Sequence, residues 1–593
     1  MHRFPLLLLV LLAGCAAPGP NPSAPMNNGD AQFHQLADAY LDGYLAWRPQ
    51  LGTGLGLHQY DGKITDYSHA SLDAELARLK SFDRQLAALD PRTLSRPAFY
   101  DYRLLQNSIR REIFGFEQMQ SYTRNPMTYA GAIDVSIYIK RNFAPLEDRV
   151  RSVIAILGQA PNIMAAARAN LVESLPRPQI ETAIDVATGA ADFLAHDVVK
   201  GLKDLQDATL RTRFDTANRR AIAELREFVT WLKQEKLPKA NEDYALGRDQ
   251  YAQLLRYGEM LTLTPEQLLA IGRRELAHEQ HVFAATAKLL DPARPAIEVF
   301  KAIQQDHPTE QGLIPDTRKD LEAIRQFVID HRIVTLPSNV RARIEETPQF
   351  MRATSFASMD TPGPFETKAT EAYYYVTPVE PDWPPQQKEQ WLTAFNYYTT
   401  DIVSIHEAYP GHYVQFLCLN ASPATRLEKI FTSYAFVEGW AHYCEQMMVD
   451  QGFGASASPT PTRDERLRAA KYRLAQSDEA LLRLCRLCVS IQMHCQGMTV
   501  AQATRFFQDN CYYQEKPAHA EAMRGTFDPE YLYYTVGKLE ILKLRADYQR
   551  QEGAAFSLEK FHDEFLRHGA PPVRLLRECL LQDPHLWPQT LSD

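Results

Sequence analysis

The chain has 593 residues, 45% hydrophobic and 23% charged, a composition that buries a sizeable core and excludes a disordered protein. Its net charge of −9 comes from interspersed acids and bases, so there is no basic stripe to neutralise phosphates and nucleic acid is excluded as a partner. Length alone would suggest about four domains at ~150 residues each, a prior that large helical enzymes routinely break.

At the N-terminus Arg3 precedes the apolar run Phe4 to Leu12, too short to span a bilayer and right for the apolar part of a signal peptide. Leu12-Ala13-Gly14-Cys15 follows and resembles the bacterial lipobox, which predicts cleavage before Cys15 and its acylation. The Pro/Asn/Ser/Gly stretch from Pro18 to Asp30 cannot pack and reads as a flexible tether. No later stretch reads as a membrane span, so the mature protein is expected to be a soluble body held to the membrane by lipid.

Helical periodicity dominates the next part, with apolar residues three and four apart over Leu72–Leu89, Arg149–Leu171, Ala217–Lys233 and Leu321–His331. Thr264-Pro265-Glu266-Gln267 starts a helix, with a Thr N-cap, Pro at the first position and an acid in the first turn. On that helix His278-Glu279-Gln280-His281 has a spacing that fits no hydrolytic zinc motif and reads as a solvated face. Strand signals are scarce. The clearest is Ala372 to Thr377, rich in tyrosine and closed by Pro378, and it is expected to flank the site and offer an edge to an extended peptide. A proline-marked loop then leads into a helix from Gln386.

The chemistry concentrates in Asp401 to His412, which ends His406-Glu407-Ala408-Tyr409-Pro410-Gly411-His412. Two imidazoles supply neutral nitrogen ligands to Zn²⁺, and the carboxylate of Glu407 is placed to act as general base. The spacing is irregular, because positions six apart on a helix are rotated by about 240°. Pro410 and Gly411 therefore imply a break or bulge that swings His412 back. A second window, Tyr434 to Glu445, sets Glu438, His442 and Glu445 on one stripe of an otherwise apolar helix. Three ionisable groups there are costly unless paired or bound to metal, and a carboxylate from such a helix completes a His₂Glu site.

Apart from Cys15, seven cysteines lie in the last third. Cys485 and Cys488 sit where leucine and valine repeat at helical spacing and read as core thiols rather than a zinc site. Near the C-terminus Asp528 is a candidate cap and Pro529 a first helical residue, with Tyr531 and Tyr534 sharing a face as candidates for stabilising an oxyanion. His494 and Arg524 are further candidates for contact with substrate.

The segments His406 to His412 and Glu438-Gly439-Trp440-Ala441 resemble those of a large bacterial family, the DUF885 proteins, many of them lipoproteins. The resemblance extends to Gly56–Asp61, Tyr251–Gly272 and Tyr531–Arg545. That family is distantly similar to gluzincin-type helical zinc peptidases such as the oligopeptidases and angiotensin-converting enzyme. The similarity implies a third zinc ligand on a later helix, a role that falls on Glu438; paired tyrosines after a proline also fit the converting-enzyme pattern. Behind the ligands, His442 is expected to orient Glu438 or the bound water, with Glu445 beside it. Two departures stand out: Val489-Ser490-Ile491-Gln492-Met493-His494 lacks the aspartate of the family's Val-Asp-Thr-Gly-Leu-His, and His442 replaces a usually apolar residue.

The sequence therefore predicts a mainly α, zincin-like helical body with a small sheet near the cleft. Residues 1–14 form the signal peptide, 15–30 the lipidated tether, 31–380 an N-terminal helical part, and 381–593 the part that carries the metal. The expected function is zinc-dependent peptide hydrolysis at the extracytoplasmic face of a bacterial membrane. Two alternatives stand beside it: a non-catalytic envelope-binding lipoprotein, and a zinc amidase or esterase on a non-peptide substrate.

Overall fold

The computed structural model describes residues 28–349, 352 and 355–591. Cys15 and the signal peptide lie outside them. The first helix, Asn28–Trp47, takes in the last three residues of the expected tether. Asp30 explains why: it is buried and its Oδ1 accepts from Ser95 N at 2.8 Å, so the chain is already anchored there.

Three hydrophobic cores organise the helices. The first is built by Asn28–Trp47, His69–Ala87 and Arg96–Glu117. Leu72, Leu79 and Leu86, seven apart, form the buried stripe of the middle helix. Glu75 on the same helix is also buried, and Arg48 at 2.8 Å and Arg78 at 2.7 Å both pair with it, which offsets the cost of desolvating its charge. This core takes in Leu427, Ile430 and Leu575, so the first described helices pack against segments from the last third of the chain.

The second core holds the helices between Met127 and Trp231. Here Leu146–Asn170 is, contrary to the sequence reading, long and apolar enough by composition to cross a membrane. It is nevertheless broken into Leu146–Leu157 and Ala160–Asn170, and its apolar face of Val150, Val153, Ile156, Ile163 and Met164 packs in this core.

The third and largest core runs from Tyr251 to Leu591. Helix Pro265–Leu290 opens with the expected Thr264 cap, closed into a capping box by Gln267. It lies along the long helix Arg463–Gln496, whose 34 residues span about 51 Å. Cys485 and Cys488 are free, buried thiols within that helix, as their spacing predicted. Because this core includes Tyr251–Val376, the division drawn at residue 380 does not separate two cores.

Three strands form the sheet: β1 (Arg343–Glu346), β2 (Ala357–Asp360) and β3 (Tyr373–Val376), in the order β1-β3-β2. β3 is the strand read from the sequence. It is paired on both sides, parallel to β1 and antiparallel to β2, so it has no edge to offer a peptide; β1 and β2 are the outer strands instead. The Tyr374 hydroxyl meets Ser404 Oγ at 3.1 Å, tying the sheet to the helix that carries His406.

Candidate metal centre

Helix Tyr397–Glu407 is capped by Asn396, whose Oδ1 accepts from Thr399 N at 3.0 Å. It ends immediately after the His-Glu pair. Ala408 leaves helical geometry, Gly411 N returns to Ile405 O at 3.0 Å, and a new helix, His412–Ala421, begins. The distortion required by the six-residue spacing is thus a clean break between two helices. Glycine is demanded at 411, because an added Cβ would lie 1.8 Å from His406 O and 2.4 Å from Ile405 O. Trp440 Nε1 donates to Pro410 O at 2.9 Å and fixes the turn from the other side.

The break brings His412 back to His406. Each presents Nε2 at 3.4 Å from Glu438 Oε2, and the three ligand atoms lie within 4.8 Å of one another. A tetrahedral zinc with bonds of about 2.05 Å has ligand-to-ligand edges of about 3.3 Å, which the two imidazole-to-carboxylate distances match. Glu438 Oε2 is buried and makes no hydrogen bond, and so presents an orphaned charge to both imidazoles. Burial opposes ionisation of Glu438, but His412 and His406 hold its carboxyl well below the usual range. For His406, burial is likewise outweighed, by Glu438 and Glu445, and its pKa is raised to about 9. The centre attracts a cation, whether proton or metal.

Around the triad, Glu445 takes His406 Nδ1 at 2.7 Å and His442 Nδ1 at 3.0 Å, which leaves His406 Nε2 free to face the other two ligands. His442 therefore orients Glu445, not Glu438 as the sequence suggested; burial keeps it neutral, with its pKa lowered to about 3. Glu407 stays outside the ligand set. Its Oε2 accepts from Met359 N of β2 at 2.9 Å, and burial raises its pKa.

Glu438 and Tyr534 stand on two helices in very close contact, Tyr434–Asp450 and Tyr533–Glu552. At their crossing a Cβ on Gly439 would lie 2.5 Å from Gly537 Cα, and one on Gly537 would lie 1.8 Å from Ala435 O. Tyr534, half-buried, stacks over His406 with ring centroids 6.5 Å apart. Tyr531 shares Arg524 as a neighbour but not the exposure. A 3₁₀ turn, Pro529–Leu532, precedes the helix and buries Tyr531 completely, with a Cβ on Gly525 only 2.6 Å from its hydroxyl. Asp528 makes no cap bond and instead pairs with Arg524 at 2.9 Å.

His494, the other candidate for substrate contact, is buried, with Nε2 at 2.8 Å from Gly525 O. The paired His278 and His281 sit on an exposed helix face, as read. Sequence reasoning missed Glu259, a buried carboxylate that accepts from Ser433 Oγ and, at 3.0 Å, from Ala435 N, so it steadies the start of the Glu438 helix. No local signal marks it. It also missed Arg486, whose guanidinium lies 5.2 Å from the Tyr534 ring; its spacing on the long helix was the available clue.

A family profile described as "Bacterial protein of unknown function (DUF885)" matches residues 49–580. A "putative lipoprotein of unknown function" from Shewanella oneidensis is 27% identical, with a TM-score of 0.76 over 93% of this chain and 100% of its own. A "putative lipoprotein" from Colwellia psychrerythraea, 18% identical, shares the fold with a TM-score of 0.73 over 93% of this chain and 98% of its own. No curated protein matches.

Proposed function

This chain belongs to the DUF885 family of bacterial proteins of unknown function, and we propose that it is a zinc-dependent peptidase held by a lipid on Cys15 at the extracytoplasmic face of a membrane. The observation that carries the reading is the orphaned Glu438 Oε2, buried and 3.4 Å from the Nε2 atoms of His406 and His412, with a second carboxylate beside it that is not a ligand. A coordination shell needs the first feature, and hydrolysis needs the second. The distant similarity to gluzincins supports the same reading, and the lipobox, together with the descriptions of the two structural relatives, supports the anchor.

His406, His412 and Glu438 would hold Zn²⁺, which when bound supplies a Lewis acid for the scissile carbonyl and lowers the pKa of an attacking water. Glu407 takes the proton of that water at its carboxylate and passes it to the leaving amine. Its burial and raised pKa suit a group that must hold the proton between the two transfers. The Met359 N–H fixes the carboxylate's orientation. Tyr534 is the hydroxyl placed to donate to the developing oxyanion, and fully buried Tyr531 is not. His442 and Glu445 position His406.

The test compares wild type with Glu407→Gln at matched zinc content on a small peptide library. Zinc binding and fold should persist while kcat falls by about 10²–10⁴. Equal kcat on any substrate the wild type cleaves would refute the mechanism.

A further inference from the structure

We propose that Arg486 and Arg524 together form a carboxylate-binding site beside the proposed metal centre, so that the preferred substrate presents a free carboxylate, either its C-terminus or an acidic side chain. The inference rests on the peptidase reading for the identity of that substrate, but the geometry stands by itself. The two guanidinium groups come from different helices, Arg463–Gln496 and Glu515–Phe527, and converge on one phenol. Their central carbons lie 5.2 Å and 6.0 Å from the centroid of the Tyr534 ring, which also neighbours the Tyr434 ring at 5.7 Å, the Arg483 guanidinium at 5.9 Å and the His406 ring at 6.5 Å.

Each guanidinium is held from behind. Arg486 gives Nε and Nη2 to Glu521 at 2.8 Å and 2.7 Å. Arg524 gives Nε to Asp528 at 3.0 Å and Nη2 to the Tyr434 hydroxyl at 3.1 Å. Among the described residues, neither Nη1 donates a hydrogen bond. Two oriented cations that repel each other, each with a spare donor and both beside the ring that stacks on His406, suit the two oxygens of one carboxylate. A pair built only for stability would need neither the convergence nor the spare donors.

The experiment measures calorimetric binding to the full Glu407→Gln chain, in zinc, which binds peptide without turning it over. Three peptides are compared: a neutral peptide with a free C-terminus, its C-terminal amide, and an amide carrying one glutamate side chain. The free acid or the glutamate peptide should bind about 10–100-fold more tightly than the neutral amide, and which of them does so identifies the source of the carboxylate. Adding Arg524→Gln, at a position one-third exposed, should remove that preference and leave the affinity for the neutral amide unchanged. Arg486→Lys, which keeps the charge but not the fork, should weaken the preference. Equal binding of all three peptides, no binding of any, or a preference that survives Arg524→Gln would overturn the proposal. Turnover by the wild type separates the two readings. Cleavage of acid and amide at equal rates leaves the peptidase reading intact and counts against the arginine pair, whereas cleavage of neither removes the peptidase reading even where the binding preference holds.

Discussion

Replacing Glu445 with Gln tests whether the arrangement behind the ligands sets metal affinity. The carboxylate is 1% exposed and accepts from two imidazoles, His406 Nδ1 at 2.7 Å and His442 Nδ1 at 3.0 Å, with Arg483 Nη2 at 3.8 Å. Glutamine keeps the volume and still offers one oxygen to His406. Its amide nitrogen then faces His442, which is neutral and can switch tautomer to accept. The lost quantity is the negative charge that makes His406 a better donor to the metal. Loss of such a partner weakens metal binding by about 10–100-fold, or roughly 1.4–2.7 kcal/mol. Loss of the ligand itself, in Glu438→Gln, should cost more. Competition with a chromogenic zinc chelator measures both, and circular dichroism of the metal-free proteins checks that the fold is kept. Wild-type affinity in Glu445→Gln would refute this reasoning, and zinc retained by Glu438→Gln but lost from Glu445→Gln would refute the ligand assignment.

Gly411→Ala should keep the helical spectrum and lose more than the ~100-fold in zinc affinity expected at most for Glu445→Gln. The methyl would meet backbone oxygens that cannot rotate away, and ligand distances tolerate only about 0.2 Å; full zinc binding by the chelator assay would contradict the geometry. Asp401→Asn tests a buried acid on the same helix. Burial, opposed by the Tyr472 hydroxyl at 2.6 Å, raises the folded carboxyl to about 7, against about 3.9 unfolded. The folded state holds its proton more tightly, so wild type loses stability, by at most about 4 kcal/mol, as pH rises from about 4 to about 7. The asparagine variant escapes that loss, and its melting temperature should gain on the wild type between pH 4 and pH 8. A constant difference across that range would show that Asp401 does not titrate as described.

The helices were legible because their apolar residues repeat three and four apart, and the cluster of His406, His412 and Glu438 because histidine and glutamate stand where an apolar helix would exclude them. Ala408 to Gly411 could be read as a break, but its direction depends on Trp440, 30 positions away, which grips Pro410. β2 left no trace in the sequence: Ala357-Ser358-Met359-Asp360 has little strand propensity, and its pairing with β3 alone makes it a strand. The caps at Thr264 and Asn396 are local and were open to reading in principle. Glu259 caps from 176 positions away and was not. Tyr531 and Tyr534 looked equivalent by spacing until a 3₁₀ turn rotated one of them into the core.

The glycine-to-glycine crossing of Gly439 and Gly537 bears on how the cleft can open. With no side chains between the two backbones there is nothing to repack, so the helices bearing Glu438 and Tyr534 move as one piece. Breathing of the site is then expected on the side of β2, which meets Glu407 through the hydrogen bond from Met359 N. A ligand that props the cleft open should therefore displace strands and leave the helix pair in place, and amide exchange at Met359 should respond to it before exchange at Gly439 does.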